Sequence, residues 1–337
     1  MMLNEAYLDV ESASMHTADS ETTLFITEDL DTVQIQRRLL FTLNKIVNTE
    51  TDAYSLTRSG EFKMSSTGAQ FQETLKNLTD LKRSLCEYQQ LHPTIQLFSN
   101  TLEIHNLTLS SASDAARINR WLKIFREEAN SVKHRRTLRN FQRAASKNLK
   151  GTLSYVDHLF ERHSRLLVVR VDLSYQKAMI KNKRISTDLT RLHRKRLFKQ
   201  VHAHPLFKYC LGYIWKLEYG RYKGFHYHTC FFFDGSKVRG DIRLARRIGE
   251  YWKREITAGQ GLYFNCNAIA SAYAQSGIGD IHYTDLEKRK VLQKVISYIA
   301  KVDTAVRLSL PEGARTFGRG ECIVQIGEKR GRSRSGK

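Results

Sequence analysis

The chain has 337 residues, 41% of them hydrophobic and 10% aromatic, so it holds enough apolar material for a packed core and is not a disordered polymer. Its formal charge is +21, and the charge is divided: residues 1–100 carry 8 basic and 14 acidic side chains, and residues 101–337 carry 47 and 20. A balance of +27 over the later part favours a polyanionic partner, with nucleic acid first and an anionic membrane surface second. No apolar run reaches a membrane span, residues 1–20 are acidic and polar rather than signal-like, and no phosphate-binding P-loop motif is present. The five cysteines are scattered without a C-x-x-C pair, which points to reduced thiols in a cytoplasmic protein rather than to disulfides or thiolate zinc.

In chain order, residues 1–30 read as a polar, disordered tail. Apolar residues at helical spacing predict helices over 34–47, through Ile35, Leu39, Leu43 and Ile46, and over 71–88, through Leu75, Leu78, Leu81 and Leu85. A third helix is expected over 114–128, capped by Ser113. This α-rich part, 31–150, carries no chemical motif. It ends in a stretch, 131–150, with seven Lys or Arg and no acid, read as a solvated helix face or linker, or as a direct phosphate contact. A boundary is placed near Lys150, and a second unit is expected over 151–325.

There the pattern turns to strands. Residues 166–172 (LLVVRVD), 212–219 and 225–233 (FHYHTCFFF) predict three of them, the last ending on the turn pair Asp234-Gly235. Residues 175–199 form a basic helical stretch, and 242–256 and 285–302 predict two further helices. Thr284 and Glu287 suggest a capping box for the last, whose apolar face holds Val291, Leu292, Val295, Ile296 and Ile299. The end, 326–337, is a basic disordered tail.

His226 and His228 are two apart in a strand, so both imidazoles leave the same face and can share a cation. A hairpin turning through 220–224 sets Glu218 opposite His226 and Lys216 opposite His228, which makes Glu218 a third ligand. Two nitrogens and a carboxylate suit Mg²⁺ or Mn²⁺ and leave room for a phosphate oxygen. The plainer alternative is two hydrogen-bonded histidines on a half-buried strand. A second pair, His202 and His204, ends a helical run before Pro205, where residues two apart diverge, so it is rejected as a site.

Tyr298 and Lys301 form Y-x-x-K on the last helix. At about 100° per residue, with Val291 at zero, the apolar arc covers about 0–140° and Tyr298, Lys294 and Lys301 fall near 340°, 300° and 280°. The phenol therefore stands on the rim of the buried face beside two lysines. Ammonium charge and a metal-bound phosphate would both stabilise the phenolate of an attacking tyrosine. Alternatively it is a rim tyrosine between solvated lysines. Arg315 and Arg319 in RTFGRG are candidate phosphate ligands, and Trp215, Trp252 and Phe317 could stack on single-stranded bases or pack in the core. Asn265 and Asn267 read as turn residues after a strand, with contact to phosphate or base as the alternative.

A hydrophobic strand, then a strand with His-Tyr-His, then a helix with Tyr-x-x-Lys: in this order the features resemble the HUH endonucleases, in the one-tyrosine branch of rolling-circle replication initiators. Over 162–320, the segments GYIWKLEYG, GFHYHTCFFFDG, IGEYWKREITAGQGLYFNCN, YIAKVD and RTFGRG look like inovirus gene-two-like proteins that share the YagK/YfjJ C-terminal domain of bacterial prophages. The resemblance implies an α+β fold, with a central antiparallel sheet of about five strands and flanking helices in an RRM-like arrangement. It implies a divalent cation on His226 and His228, with Glu218, and a Tyr298 that nicks one DNA strand, keeps the 5′-phosphate and leaves a 3′-OH primer. Lys301 would offset charge on the phosphate, and Lys294, Arg315 and Arg319 would hold DNA. Single-stranded or origin DNA is the expected partner, and a host helicase is needed because the chain shows no motor motif of its own. Two other readings stay open: a non-catalytic DNA-binding prophage regulator on the same fold, and a one-tyrosine transposase.

Overall fold

The computed structural model describes residues 25–85, 88–104, 114–182, 184–220, 223–272, 276–301, 306–308, 310 and 314–321. The first part is built from α1 (Phe25–Val47), the hairpin β1 (Tyr54–Leu56) and β2 (Phe62–Met64), α2 (Ser66–Ser84), β3 (Gln89–Leu91), α3 (Pro93–Ile104) and α4 (Asp114–Ala129). Leu39, Leu43, Phe71, Leu78 and Ile95 meet Phe98, Trp121 and Phe125 in its core, where the Trp121 and Phe125 rings stack at 5.5 Å. Helix α1 starts at Phe25, so the predicted polar tail is helical over its last residues; positions 1–24, Ser113 and 322–337 lie outside the described residues.

Helix α5 (Val132–Arg162) runs without a break through Lys150, so the chain does not part where the composition changes. Ser131 caps it, its hydroxyl accepting the His134 N–H at 3.1 Å. The remaining elements are β4 (Arg165–Tyr175), α6 (Lys177–Lys181), α7 (Thr187–Gln200), β5 (Cys210–Gly220), β6 (Gly224–Asp234), α8 (Asp241–Tyr251), β7 (Gly261–Asn265), β8 (Gly279–His282), α9 (Leu286–Lys301), β9 (Val306–Leu308) and β10 (Phe317–Arg319). The helix predicted over 242–256 changes to a π-turn at Trp252–Ile256. The cap of α9 is Asp285, whose carboxylate accepts the Lys288 N–H at 3.0 Å. Thr284 is not that cap; its hydroxyl pairs with the His282 ring at 2.6 Å.

The architecture is α+β. A six-stranded antiparallel sheet has the order β10-β5-β6-β4-β7, with β8 also paired to β4, one strand more than the sequence led us to expect. β8 and β7 take successive lengths of β4, and the Asn267 side chain bridges the gap between them. It accepts the Arg170 N–H at 2.8 Å and donates to the Val168 carbonyl at 3.0 Å. Asn265 donates to the Ile242 carbonyl at 2.9 Å and accepts the Ala268 N–H at 3.2 Å, so both asparagines hold structure.

The period-two alternation of β4, β5 and β6 sorts side chains to two faces. Val169, Val171, Leu173, Trp215, Leu217, Tyr227 and Phe231 go to one, under α7, α8 and Trp252. Leu166, Val168, Ile214, Cys230 and Phe232 go to the other, under Tyr155 and Leu159 of α5 and Leu292, Val295, Ile296 and Ile299 of α9. The first part of the chain is tied to the sheet layer in two places. β3 pairs with β9 just after α9, and Tyr88 lies against Tyr219 and Phe225 at the hairpin end, with ring centroids at 4.9 and 5.1 Å. No helix among the described residues is long and apolar enough to cross a membrane.

Candidate metal centre

The β5–β6 hairpin has the register expected from the sequence: Glu218 opposes His226, Lys216 opposes His228, and Gly220 opposes Gly224. Gly224 has a left-handed backbone (φ +59°), and a Cβ there would press on Ile180 at 3.1 Å, so glycine is required where the chain re-enters the sheet. Two antiparallel pairs then put both imidazoles and the carboxylate on the face that α9 covers.

There, one atom from each of Glu218, His226 and His228 falls within 4.8 Å of the others, a group able to hold a metal ion. Both histidines are buried, at 5% and 8% exposure. The His226 Nδ1 lies 3.0 Å from the Gly224 carbonyl, which can only accept, so Nδ1 carries a proton, and Nε2 faces the group 3.7 Å from Glu218 Oε2. The His228 Nε2 is 3.2 Å from the same Glu218 oxygen, and its Nδ1 is 2.9 Å from Asp172 Oδ2. Glu218 Oε1 is buried with no hydrogen-bond partner among the described residues. A buried, unsatisfied carboxylate oxygen beside two imidazole nitrogens fits a cation.

The electrostatics follow from the burial of opposite charges. Desolvation alone would lower the His228 pKa, but Asp172 and Glu218 overcome it and push it up to about 10. Burial would raise both acids, yet His228 with Arg170 holds Asp172 far below the usual range, and His228 with His226 does so for Glu218. Without a metal, an imidazolium proton thus occupies the place between two carboxylates.

β4 supplies what the sequence reading missed. Arg170 and Asp172 interrupt the apolar run LLVVRVD at a spacing of two, so both point to the site face, a signal present in the sequence but not used. Asp172 pairs in register with His228. Arg170 Nε lies 3.6 Å from Asp172 Oδ1, and its guanidinium carbon lies 5.9 Å from the centre of the Tyr298 ring. The half-buried phenol of α9 is therefore linked to the metal group through two side chains. Lys216, 1% exposed, stands in the same cross-strand row: Phe317, Lys216, His228, Asp172, Phe264.

A family model for the YagK/YfjJ C-terminal domain matches residues 115–320, more than half of the chain. The chain belongs to that family. No curated protein and no solved structure matches it. The YagK/YfjJ domain so defined includes α4 and all of α5, and reaches through β10.

The other predicted residues of this YagK/YfjJ domain are spread more widely. Lys294 is exposed on α9, and Lys301 is the last residue of that helix, its side chain outside the described set. Arg315 and Arg319 are both exposed at the sheet edge. The Arg315 carbonyl accepts from Arg194 at 2.9 Å, and the Arg319 guanidinium lies 5.3 Å from the Tyr155 ring centre. Trp215 and Trp252 are core residues, with Arg194 lying 4.3 Å over Trp215; Phe317 is half-buried. Of the rejected pair, His204 is structural, since its Nδ1 accepts the Leu206 N–H at 3.2 Å, capping the short turn Pro205–Phe207, and His202 is exposed. Cys210, Cys230 and Cys266 are free thiols, and burial pushes Cys230 up to about 12, away from thiolate chemistry.

Proposed function

We propose that this YagK/YfjJ-domain protein is a metal-dependent, site-specific DNA nickase of the HUH type, which starts rolling-circle replication of a filamentous phage or prophage. The observation that carries the reading is the continuous path Tyr298–Arg170–Asp172–His228, which ends on the Glu218, His226 and His228 group. The sheet with flanking helices is read as an RRM-like HUH fold, with a host helicase and single-stranded or origin DNA as partners.

Tyr298 Oη attacks the scissile phosphorus. A P–O bond forms to tyrosine, the P–O3′ bond breaks, and the phenolic proton ends on the released 3′-oxygen. The product is a 5′-phosphotyrosine and a 3′-OH primer. A divalent cation, Mg²⁺ or Mn²⁺, bound by Glu218, His226 and His228 would supply Lewis-acid charge to a non-bridging phosphate oxygen. Arg170 holds the phenol ring beside the site and, with Asp172, keeps His228 in position. With a divalent cation and neutral histidines, Arg170 and Lys216 cancel Asp172 and Glu218, so the cation leaves a formal balance of +2, which matches the two negative charges of a phosphorane.

The test is incubation of full-length protein with fluorescent single-stranded origin DNA and Mn²⁺, read on a denaturing gel. Nicking with a covalent protein–DNA band is expected, lost with EDTA and lost in Tyr298→Phe while DNA binding persists. An adduct that still forms in Tyr298→Phe would remove the nucleophile assignment. Binding without nicking under any metal would favour the non-catalytic regulator.

A further inference from the structure

The first half of α5 presents an exposed basic face. Between 131 and 150 it carries seven basic residues and no acid. At about 100° per residue, Arg135, Arg136, Arg139, Arg143, Lys147 and Lys150 fall within an arc of about 120°. All six are exposed, and none forms an ion pair with a described carboxylate. Phe141 lies on the opposite side of the helix, buried with its ring 5.2 Å from His92. The stripe is therefore held outward by the core. The fifteen steps from Arg135 to Lys150, at about 1.5 Å each, make it about 22 Å long.

We propose that this stripe is a binding site for double-stranded DNA, separate from the metal centre. Unpaired guanidinium and ammonium groups along a straight helix fit the phosphates that border a major groove, which admits an α-helix. The arm offers no platform for single strands: the one aromatic residue in 131–150 is the buried Phe141. Among the described side chains of 135–150 it also lacks the apolar flank of a membrane-surface helix, since Thr137, Asn140, Gln142 and Ser146 are exposed neighbours; the exposed Val132 is a single apolar residue at the start of the helix.

The stripe leads toward the reaction site. Just past Lys150, Gly151 lies against the Arg319 guanidinium, which a Cβ there would meet at 3.3 Å. Arg319 belongs to β10, the edge strand beside the metal-bearing hairpin. Duplex laid on α5 would end at the sheet face where a single strand is cut. This geometry deepens the nickase reading and rests on it for the choice of DNA, but duplex binding can be measured whether or not the protein nicks.

The experiment measures fluorescence anisotropy of a 20-base-pair duplex, and of one of its strands, with full-length Tyr298→Phe protein over a range of salt. The same protein carrying R136Q, R139Q, R143Q and K147Q should bind duplex at least about tenfold more weakly, with the log–log salt slope reduced by about 0.9 per lost phosphate contact. The four substitutions in an otherwise unchanged protein should leave nicking of a short single-stranded oligonucleotide intact, which also reports folding. In the unsubstituted chain, duplex should protect Lys147 and Lys150 from amine acetylation, read by mass spectrometry. Unchanged duplex affinity and slope, an equal loss for the single strand, unprotected lysines, or tighter binding to anionic phosphatidylserine vesicles than to duplex at the same salt would each overturn the site. Absence of nicking with duplex binding intact would instead count against the nickase reading alone.

Discussion

The two faces of the sheet are built from the same strands, yet one is apolar but for the hydrogen-bonded Thr229 and the other changes character halfway. Beneath α7 and α8, Val169, Val171, Leu173, Leu217, Tyr227 and Phe231 make a continuous apolar layer. Beneath α5 and α9, an apolar half (Leu166, Val168, Ile214, Phe232) gives way to Arg170, Asp172, Lys216, Glu218, His226 and His228. Buried charges contribute little net stability and are retained only where each finds a partner. The first face is thus a stability device, and the second gives half its area to the candidate metal centre. Changes on the two faces should separate fold from function.

The sharpest break is His226→Ala. It removes one metal-facing nitrogen but leaves His228 between its two carboxylates, so Mn²⁺ binding and metal-dependent nicking should vanish in titration calorimetry and gel assays while the melting curve barely moves. Phe231→Ala, fully buried on the opposite face, should do the reverse: a loss of about 3–5 kcal/mol in denaturant unfolding, with metal affinity retained at low temperature.

A third expectation is one of pH. His228 is raised to about 10 from an unfolded value near 6.5, so in metal-free protein its stabilisation is complete below about 6.5 and is lost as pH rises to about 10. A cation must displace that proton. Apparent Mn²⁺ affinity should therefore climb with pH through the same window, up to about tenfold per unit, with proton release seen in buffers of differing ionisation enthalpy. A flat profile would mean that His228 is not a ligand. The smallest effect is Tyr227→Phe. It removes the hydroxyl that donates to the Thr190 carbonyl at 3.0 Å and should cost about 1 kcal/mol of stability, with no change in metal binding.

Much of the site could be read in advance because strand geometry is local. Two residues in a strand share a face, and a hairpin closed between Gly220 and Gly224 aligns Glu218 with His226 without any knowledge of the rest. The same locality separated the two H-x-H pairs, since His202 and His204 leave a helix and His226 and His228 a strand. The end of α5 could not be read so: the composition shifts at Lys150, but the helix continues because Tyr155, Val156 and Leu159 bury against the sheet.

By itself the sequence determined three helices of the first part (α1, α2 and α4, though not α3), the three long strands, the hairpin register and the half-buried rim position of Tyr298, all of which follow from periodicity and turn chemistry within a few residues. Only the tertiary structure decided that β4 lies beside β6, so that Asp172 backs His228 and Arg170 reaches Tyr298, and that β8 and β10 complete a six-stranded sheet. Those pairings join segments far apart in the chain, and their free energy comes from packing both faces at once, which no local pattern records.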